Sequence, residues 1–589
     1  MSHYRAPLET INFVLFDVLG SQCLAKTDRF ADASEEIFKA VLEEGAKFCE
    51  NVLLPTNEPG DRMGAHYDPE TKSVTTADGF KEAYEVYRQG GWSGLSASPD
   101  FGGQGLPHLL KMVVDEMVCS TNLSFGMYPG LSHGAMDALT EHASAELQEQ
   151  YLGKLIEGEW TGTMCLTEPQ CGTDLGLIRT KAEPNADGSY DITGTKIWIT
   201  GGEHDLTDNI LHLVLAKLPG APDTSKGISL FLVPKVLPDG TRNDAYCGGL
   251  EHKMGIKGSA TCVMNFENAK GWLIGQENQG LMCMFTMMNA ARIMVGIQGL
   301  GLAETAYQVS LDFAKERLQS RAISGPAAPE KAADPIIVHP DVRRMLLRQK
   351  VLNEGARAMA YWTGLHLDLS HSLEDQEARE KSDDILQLMT PVVKSFLTDE
   401  GFFSIDQALQ SMGGSGFTQD WPVEQLLRDA RISRIYEGTN GIQALDLVGR
   451  KLTMKGGRLA GTYFNALSEI LSGVRNEAHK AAAQTFIETL QQSLGWLVNE
   501  SVKDPEQAAA AATPLLRMFA LTTIAVFWAK MAEAATSESV AGSYSQEFLS
   551  GKVKAADHYF RLFTPEIQAL HAEVCAGKST LMAFAEAEF

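Results

Sequence analysis

"MCLTEPQCGTDLGLIRTKAEPNADGSYDITGTKIWITGG", Met164 to Gly202, is where the chain changes texture. Its first half is a turn dense in Pro and Gly. Its last part, "YDITGTKIWIT", is β-branched and aromatic and reads as a strand, with side chains on alternating faces. Further runs of this kind, "DNILHLVLAKL", "GISLFLVPK" and "ATCVMNFENA", follow between Gly, Asn, Asp and Pro clusters. They define an all-β region over 161–275.

On both sides of this region the spacing is helical. Upstream, "EEIFKAVLEEGAKFCENVLL" sets Ile37, Val41, Ala46 and Val52 at helix intervals. Downstream, "GLMCMFTMMNAARIMVGIQGLGLAETAYQVSLDFAKERLQSR" continues without a proline. About four long helices are expected over 276–452 as a bundle, and an alanine-rich helical region over 453–589. The fold class is α+β: an N-terminal segment (1–32), a helical domain (33–160), the β domain, the bundle and the C-terminal helical domain.

At 589 residues the chain exceeds one hydrophobic core. A net charge of -25, from 50 basic and 75 acidic residues, argues against a nucleic-acid surface, which needs clustered Lys and Arg, and favours a soluble enzyme. Nine scattered cysteines without a C-x-x-C pair suggest neither a disulfide framework nor a zinc site, so no metal is expected. The opening "MSHYRAPLETINFVLFDVLG" is broken by Asn12 and Asp17 and lacks a basic lead, unlike a secretory signal. "MFALTTIAVFWA", between Arg517 and Lys530, is too short to cross a bilayer. No transmembrane segment and a cytoplasmic location are the expectations.

Within the opening turn, Thr167 and Thr173 supply hydroxyls and Gly172 and Gly176 permit close backbone approach; alone, such a turn is as often structural. Trp198 and Thr200, two apart on a strand, share a face and pair an aromatic plane with a hydroxyl, which suits a flat heteroaromatic ring. Gly413 to Gly416 follow a helix that ends near Gln410, and alone are only a loop. "GIQGLGLAETA" has no strand before it and reads as close helix packing, not a dinucleotide fingerprint. "RISRIYEGTNGIQ" sets Glu437 between Tyr436 and Gly438 ahead of a helix starting near Thr439, where an acid also serves as a cap.

Taken together, "LTEPQCGTD", "GTKIWITGG", "FAKERLQSR" and "QSMGGSGF" with "RISRIYEGTNGIQ" resemble, in order, the motifs of the acyl-CoA dehydrogenase family of flavoproteins, over roughly Ala33 to Leu452. The resemblance implies a helical domain, a middle β-barrel and a second helical bundle, with FAD between the last two and held partly by a neighbouring subunit. It places Thr167, Trp198 and Thr200 at the flavin ring, with Thr173 where the family usually has Ser. Arg317 falls at the pyrophosphate, across the subunit interface. Gln410 and Gly414 fall at the adenosine diphosphate portion and Thr439 at the polar cofactor, while Gly441 stands where the family often has Gln.

Glu437 takes the position of the catalytic base that removes the Cα proton of an acyl-CoA while hydride leaves Cβ for flavin N5. Tyr436 and Gly438 line the substrate pocket, and Asn289 and Arg292 face CoA, although an arginine there equally serves as an ion-pair partner. Relatives with the base on the preceding long helix would need an acid at Ala291, and nitroalkane-oxidising relatives use Asp in the loop. The substrate implied is a fatty acyl-CoA or 3-methylmercaptopropionyl-CoA, the second because the opening segment resembles that of a bacterial subgroup. Electron-transfer flavoprotein is the implied acceptor. The last region looks like the extra domain of the longer members, which covers their tetramer surface, so a homodimer is expected. An acyl-CoA oxidase and a non-catalytic assembly protein on the same scaffold are the alternatives.

Overall fold

The computed structural model describes residues 4–589, apart from the side chain of Asn289. Ahead of the sheet come α1 (Leu8–Asn12), α2 (Glu35–Phe48), α3 (Leu54–Met63), α4 (Phe80–Gln89), α5 (His108–His142) and α6 (Ala145–Ile156). The buried stripe of α2 includes Phe38, Leu42, Gly45 and Ala46; Ala46 is buried as expected, while Phe38 and Leu42 take the inward places expected for Ile37, which is 42% exposed, and Val41. A hairpin, β1 (His66–Asp68) with β2 (Ser73–Thr75), interrupts the helices. It was not expected, because three-residue strands are too short for alternation to register.

α5 is not one rod. Asn122 leaves the helical region (φ -155°, ψ 91°), and a Cβ built on Gly126 would stand 3.1 Å from Val118, eight positions back. Residues seven or eight apart on a straight helix lie over 10 Å apart along the axis, so the chain doubles back at Asn122. The Asn122 side chain caps the second arm through the Phe125 N–H and donates to Thr56.

The β region holds β3 (Trp160–Cys165), β4 (Lys181–Pro184), β5 (Tyr190–Thr200), β6 (Asn209–Lys217), β7 (Ile228–Pro234), β8 (Ala245–Leu250) and β9 (Thr261–Ile274). Pairings β6–β4, β4–β5, β5–β9, β9–β7 and β7–β6 close a five-stranded barrel, with β3 added beside β6 and β8 beside β9. β6 and β7 are buried along almost their whole length, which explains their continuous apolar runs.

Three long helices follow rather than four: α7 (Gly280–Glu316), α8 (Pro340–Ser372) and α9 (Gln376–Met412). Short α10 (Gly414–Phe417), α11 (Val423–Ala430) and α12 (Asn440–Asp446) carry the chain past the acidic loop. The "GIQGLGLAETA" stretch lies inside α7, and its glycines are contact points: a Cβ on Gly299 would come within 2.4 Å of the Leu397 carbonyl in α9.

α13 (Arg458–Ser472), α14 (Glu477–Ser501), α15 (Glu506–Ala535) and α16 (Gln546–Ala576) complete the chain. α15 and α7 are long and apolar enough to cross a membrane by length and composition, unlike the short span expected from sequence. The apolar window of α15 is 83% buried and that of α7 53%. α15 packs against α8, α9, α14 and α16.

Candidate active site

Glu437 sits in the loop between α11 and α12 with φ +56°, followed by Gly438 at φ +83°. A non-glycine residue there is strained and persists only where surroundings hold it. Several contacts do so. Gln443 of α12 donates to the Glu437 carbonyl (3.1 Å) and the Gly438 carbonyl (3.2 Å). Lys394, fully buried in α9, donates to the Gly438 carbonyl (2.8 Å) and to Asn440 Oδ1 (2.9 Å). Thr439 caps α12 through the Ile442 N–H. With both carbonyls tied back, half-buried Glu437 lines a cleft, and its own N–H has no protein acceptor among the described residues.

Thr200 of β5 lines the same cleft, with Tyr436 and with Ala291, Met294, Val295 and Gln298 of α7. The two arms of α5 complete its walls. Thr167 joins this end of the barrel, its carbonyl accepting from the Ile197 N–H at 2.9 Å. Trp198 is 61% exposed and sits at a bulge between Lys196 and Ile199 with φ +60°. Simple alternation therefore does not describe this stretch. The bulge sets Ile199 inward and leaves Trp198 and Thr200 less buried on either side of it. Below the bulge, buried Lys196 donates to Glu168 (2.8 Å) and to the Leu166 carbonyl (3.0 Å), pinning the turn that carries Thr167.

Electrostatics fit an acid held in reserve. Burial pushes the Glu437 carboxyl above the ordinary carboxylate range, while Lys394 and Arg292 pull it back. Burial likewise lowers the Lys394 ammonium to about 7, opposed by Glu437 and Asp399. Arg292 is buried and pairs with Asp446 at 3.1 Å, so the ion-pair reading of this arginine describes its geometry. The Asn289 side chain lies outside the described residues.

A second cluster forms elsewhere. Arg317, at the end of α7, donates to Ser415 (3.3 Å) beside Gly414 and stacks over Phe313. Gln410, Gly414 and Arg317 are exposed and are not among the residues that line the Glu437 cleft, and Thr173 is exposed in its turn. Sequence reasoning missed Lys394, Gln443 and Asn440. The first had a signal, a lone lysine inside the apolar run "MTPVVKSFL".

A closed barrel between two helical regions, its edge presenting an indole near a cleft that holds a strained, half-buried acid, defines a class of scaffold, helix–barrel–helix. Family models match in sequence order: acyl-CoA dehydrogenase N-terminal domain over 36–159, middle domain over 163–269, C-terminal domain over 278–452, and acetyl-CoA dehydrogenase C-terminal like over 464–585. The chain belongs to the acyl-CoA dehydrogenase family. It is 40% identical to the 3-methylmercaptopropionyl-CoA dehydrogenase of Ruegeria pomeroyi, over 98% of this chain and 99% of that one. It is 33% identical to the broad-specificity linear acyl-CoA dehydrogenase FadE5 of Mycobacterium tuberculosis, over the full length of both. The acyl-CoA dehydrogenase complexed with FAD from Bacillus anthracis shares the fold, with a TM-score of 0.74 at 22% identity over 94% of this chain and 90% of that one.

Proposed function

We propose that the protein oxidises an acyl-CoA thioester to the trans-2-enoyl-CoA, with Glu437 as the base that removes the Cα proton. The observation that carries this reading is the shared cleft of Glu437 and Thr200. It sets an acid of raised pKa against the barrel edge that bears Trp198. A general base needs reach and a pKa drawn towards the working pH, and burial supplies the second.

The chain's own groups divide the work. Met294, Val295 and Leu131 give the cleft apolar walls, so an acyl chain between them displaces water and strengthens the carboxylate as a base. The unengaged Glu437 N–H is available to the thioester carbonyl, where negative charge develops as the proton leaves. Ala291 carries no acid, which leaves Glu437 as the carboxylate at this end of the cleft.

FAD fits the residues present. An exposed Trp198 suits a flat ring, open space surrounds a Cβ built on Gly414, and the Arg317 guanidinium has donors free beyond Ser415. Thr167, Trp198 and Thr200 would hold the ring, the Thr173 and Thr439 hydroxyls the polar part of the cofactor, Gln410 and Gly414 the adenosine diphosphate portion, and Arg317 of a neighbouring subunit the pyrophosphate. Bound FAD supplies the hydride acceptor. A cytoplasmic homodimer that passes electrons to electron-transfer flavoprotein completes the reading. Its substrate is a fatty acyl-CoA or 3-methylmercaptopropionyl-CoA, the class named for the relative at 40% identity.

The test is a panel of acyl-CoA thioesters assayed with a dye acceptor. Glu437→Gln is expected to keep flavin and acyl-CoA bound and to lose about 10²- to 10⁴-fold in kcat. Turnover at the parent rate would remove the role.

A further inference from the structure

The far end of the cleft is not apolar. Its floor is the first arm of α5, where Asp115, Val118 and Cys119 face in, and the second arm crosses it with Gly126 and Gly130. A Cβ on Gly130 would meet nothing within 4 Å, so the missing side chain leaves a window onto that floor. The order along the cleft follows from packing: Tyr436, next to Glu437 in the chain, packs on the cluster that holds Cys119, and Asp115 lies one helical turn beyond Cys119 on the first arm of α5. Asp115 is thus set apart from the base by Tyr436 and Cys119.

Its Oδ1 accepts from Lys111 one helical turn away, and both side chains are nearly closed to solvent, at 13% and 8% exposure. Oδ2 has no partner among the described residues, yet it is not sealed off in the interior. A carboxylate oxygen of this kind needs a hydrogen-bond donor or water.

We infer that the Asp115–Lys111 pair is the length gauge of the acyl cleft. It admits chains that stop short of Oδ2 or that end in a hydrogen-bond donor, and it penalises alkyl chains long enough to strip Oδ2 of water. This rests on reading the cleft as the acyl site. Alkyl termini that reach the floor leave a charged acceptor unpaired, whereas an ω-hydroxyl of the same reach satisfies it.

The experiment compares straight-chain acyl-CoAs of increasing length with their ω-hydroxy counterparts. The readouts are kcat/KM on the parent protein and Kd on Glu437→Gln. Beyond a threshold length, alkyl chains are expected to lose about 10- to 100-fold and the ω-hydroxyl to restore most of it. The double variant Lys111→Met/Asp115→Leu, which replaces a buried ion pair by apolar groups, is expected to abolish the threshold. Asp115→Asn, close to isosteric, serves if the double variant does not fold. Gly130→Val, which fills the window, is expected to move the threshold to shorter chains. A length profile that both Asp115 variants leave unchanged, or an ω-hydroxyl without effect, overturns the inference. Discrimination in Kd without turnover of any thioester would instead count against the proposed base and leave the gauge standing.

Discussion

Glu437 is a residue under three constraints, and each has its own consequence. Its backbone is left-handed, its carboxyl is pushed up by burial, and a buried ammonium and guanidinium pull it back. Activity on the acid side should therefore fail as pH drops through a value above the ordinary carboxylate range, because the base is lost when it takes up a proton. Removing the Lys394 charge removes a group that favours the carboxylate. Lys394→Met is accordingly expected to move the acid limb of kcat/KM to higher pH, with Arg292 and its partner Asp446 still in place. A pH profile that only drops in height would mean that Lys394 acts through packing alone. Gly438→Ala carries two costs, a φ of +83° and a Cβ 2.7 Å from Gln443 Nε2. It should destabilise the loop by about 1–3 kcal/mol and lower kcat, read by urea melts beside steady-state rates. The sequence alone indicated the acid and its motif. What holds the acid comes from α9 and α12, and nothing in the local pattern at 437 points to Lys394, 43 positions earlier.

At the scale of elements, legibility followed the strength of periodicity. β5, β6, β7 and β9 were readable because β-branched runs lay between turn residues, whereas β8, "AYCGGL", hides behind two glycines. The doubling of α5 was not readable, since neither Gly nor Pro marks Asn122 and both arms keep a helical pattern. The bulge at Trp198 likewise leaves no mark on the alternation that suggested the strand, yet it decides how the indole stands against Thr200. The glycines of α7 were correctly read as packing. Gly299→Ala should cost about 1–3 kcal/mol by forcing α7 away from α9, measured as a lowered urea midpoint. Because the same helix carries Ala291 to Gln298 along the cleft, a loss of acyl-CoA affinity is expected with it.

At the scale of the molecule, distant segments close on one another. The opening segment is locked to the last helix and the turn before it: Asp17 accepts from Tyr544 (2.6 Å) just ahead of α16, and Lys552 of α16 reaches Thr10 (3.2 Å) and Glu354 of α8 (2.8 Å). Between α5, α7 and α8, buried Arg357 joins Glu116 (2.7 Å) and Glu304 (2.9 Å). Arg357→Met, which strands two buried carboxylates, should cost about 3–5 kcal/mol in a denaturant titration. The remote Arg317 cluster belongs to this scale as well. If it completes the cofactor site of a neighbouring subunit, Arg317→Ala should weaken flavin retention about 10- to 100-fold while the Glu437 cleft stays intact, followed by flavin absorbance after gel filtration. The central claim remains that the loop acid removes the Cα proton. Its most direct test is proton NMR in D2O with an acyl-CoA that has no hydrogen on Cβ, so that only Cα exchange is observed. The parent protein should wash the Cα proton signal out, and Glu437→Gln should slow that loss by about 10²- to 10⁴-fold; equal exchange rates in the two proteins would contradict the account.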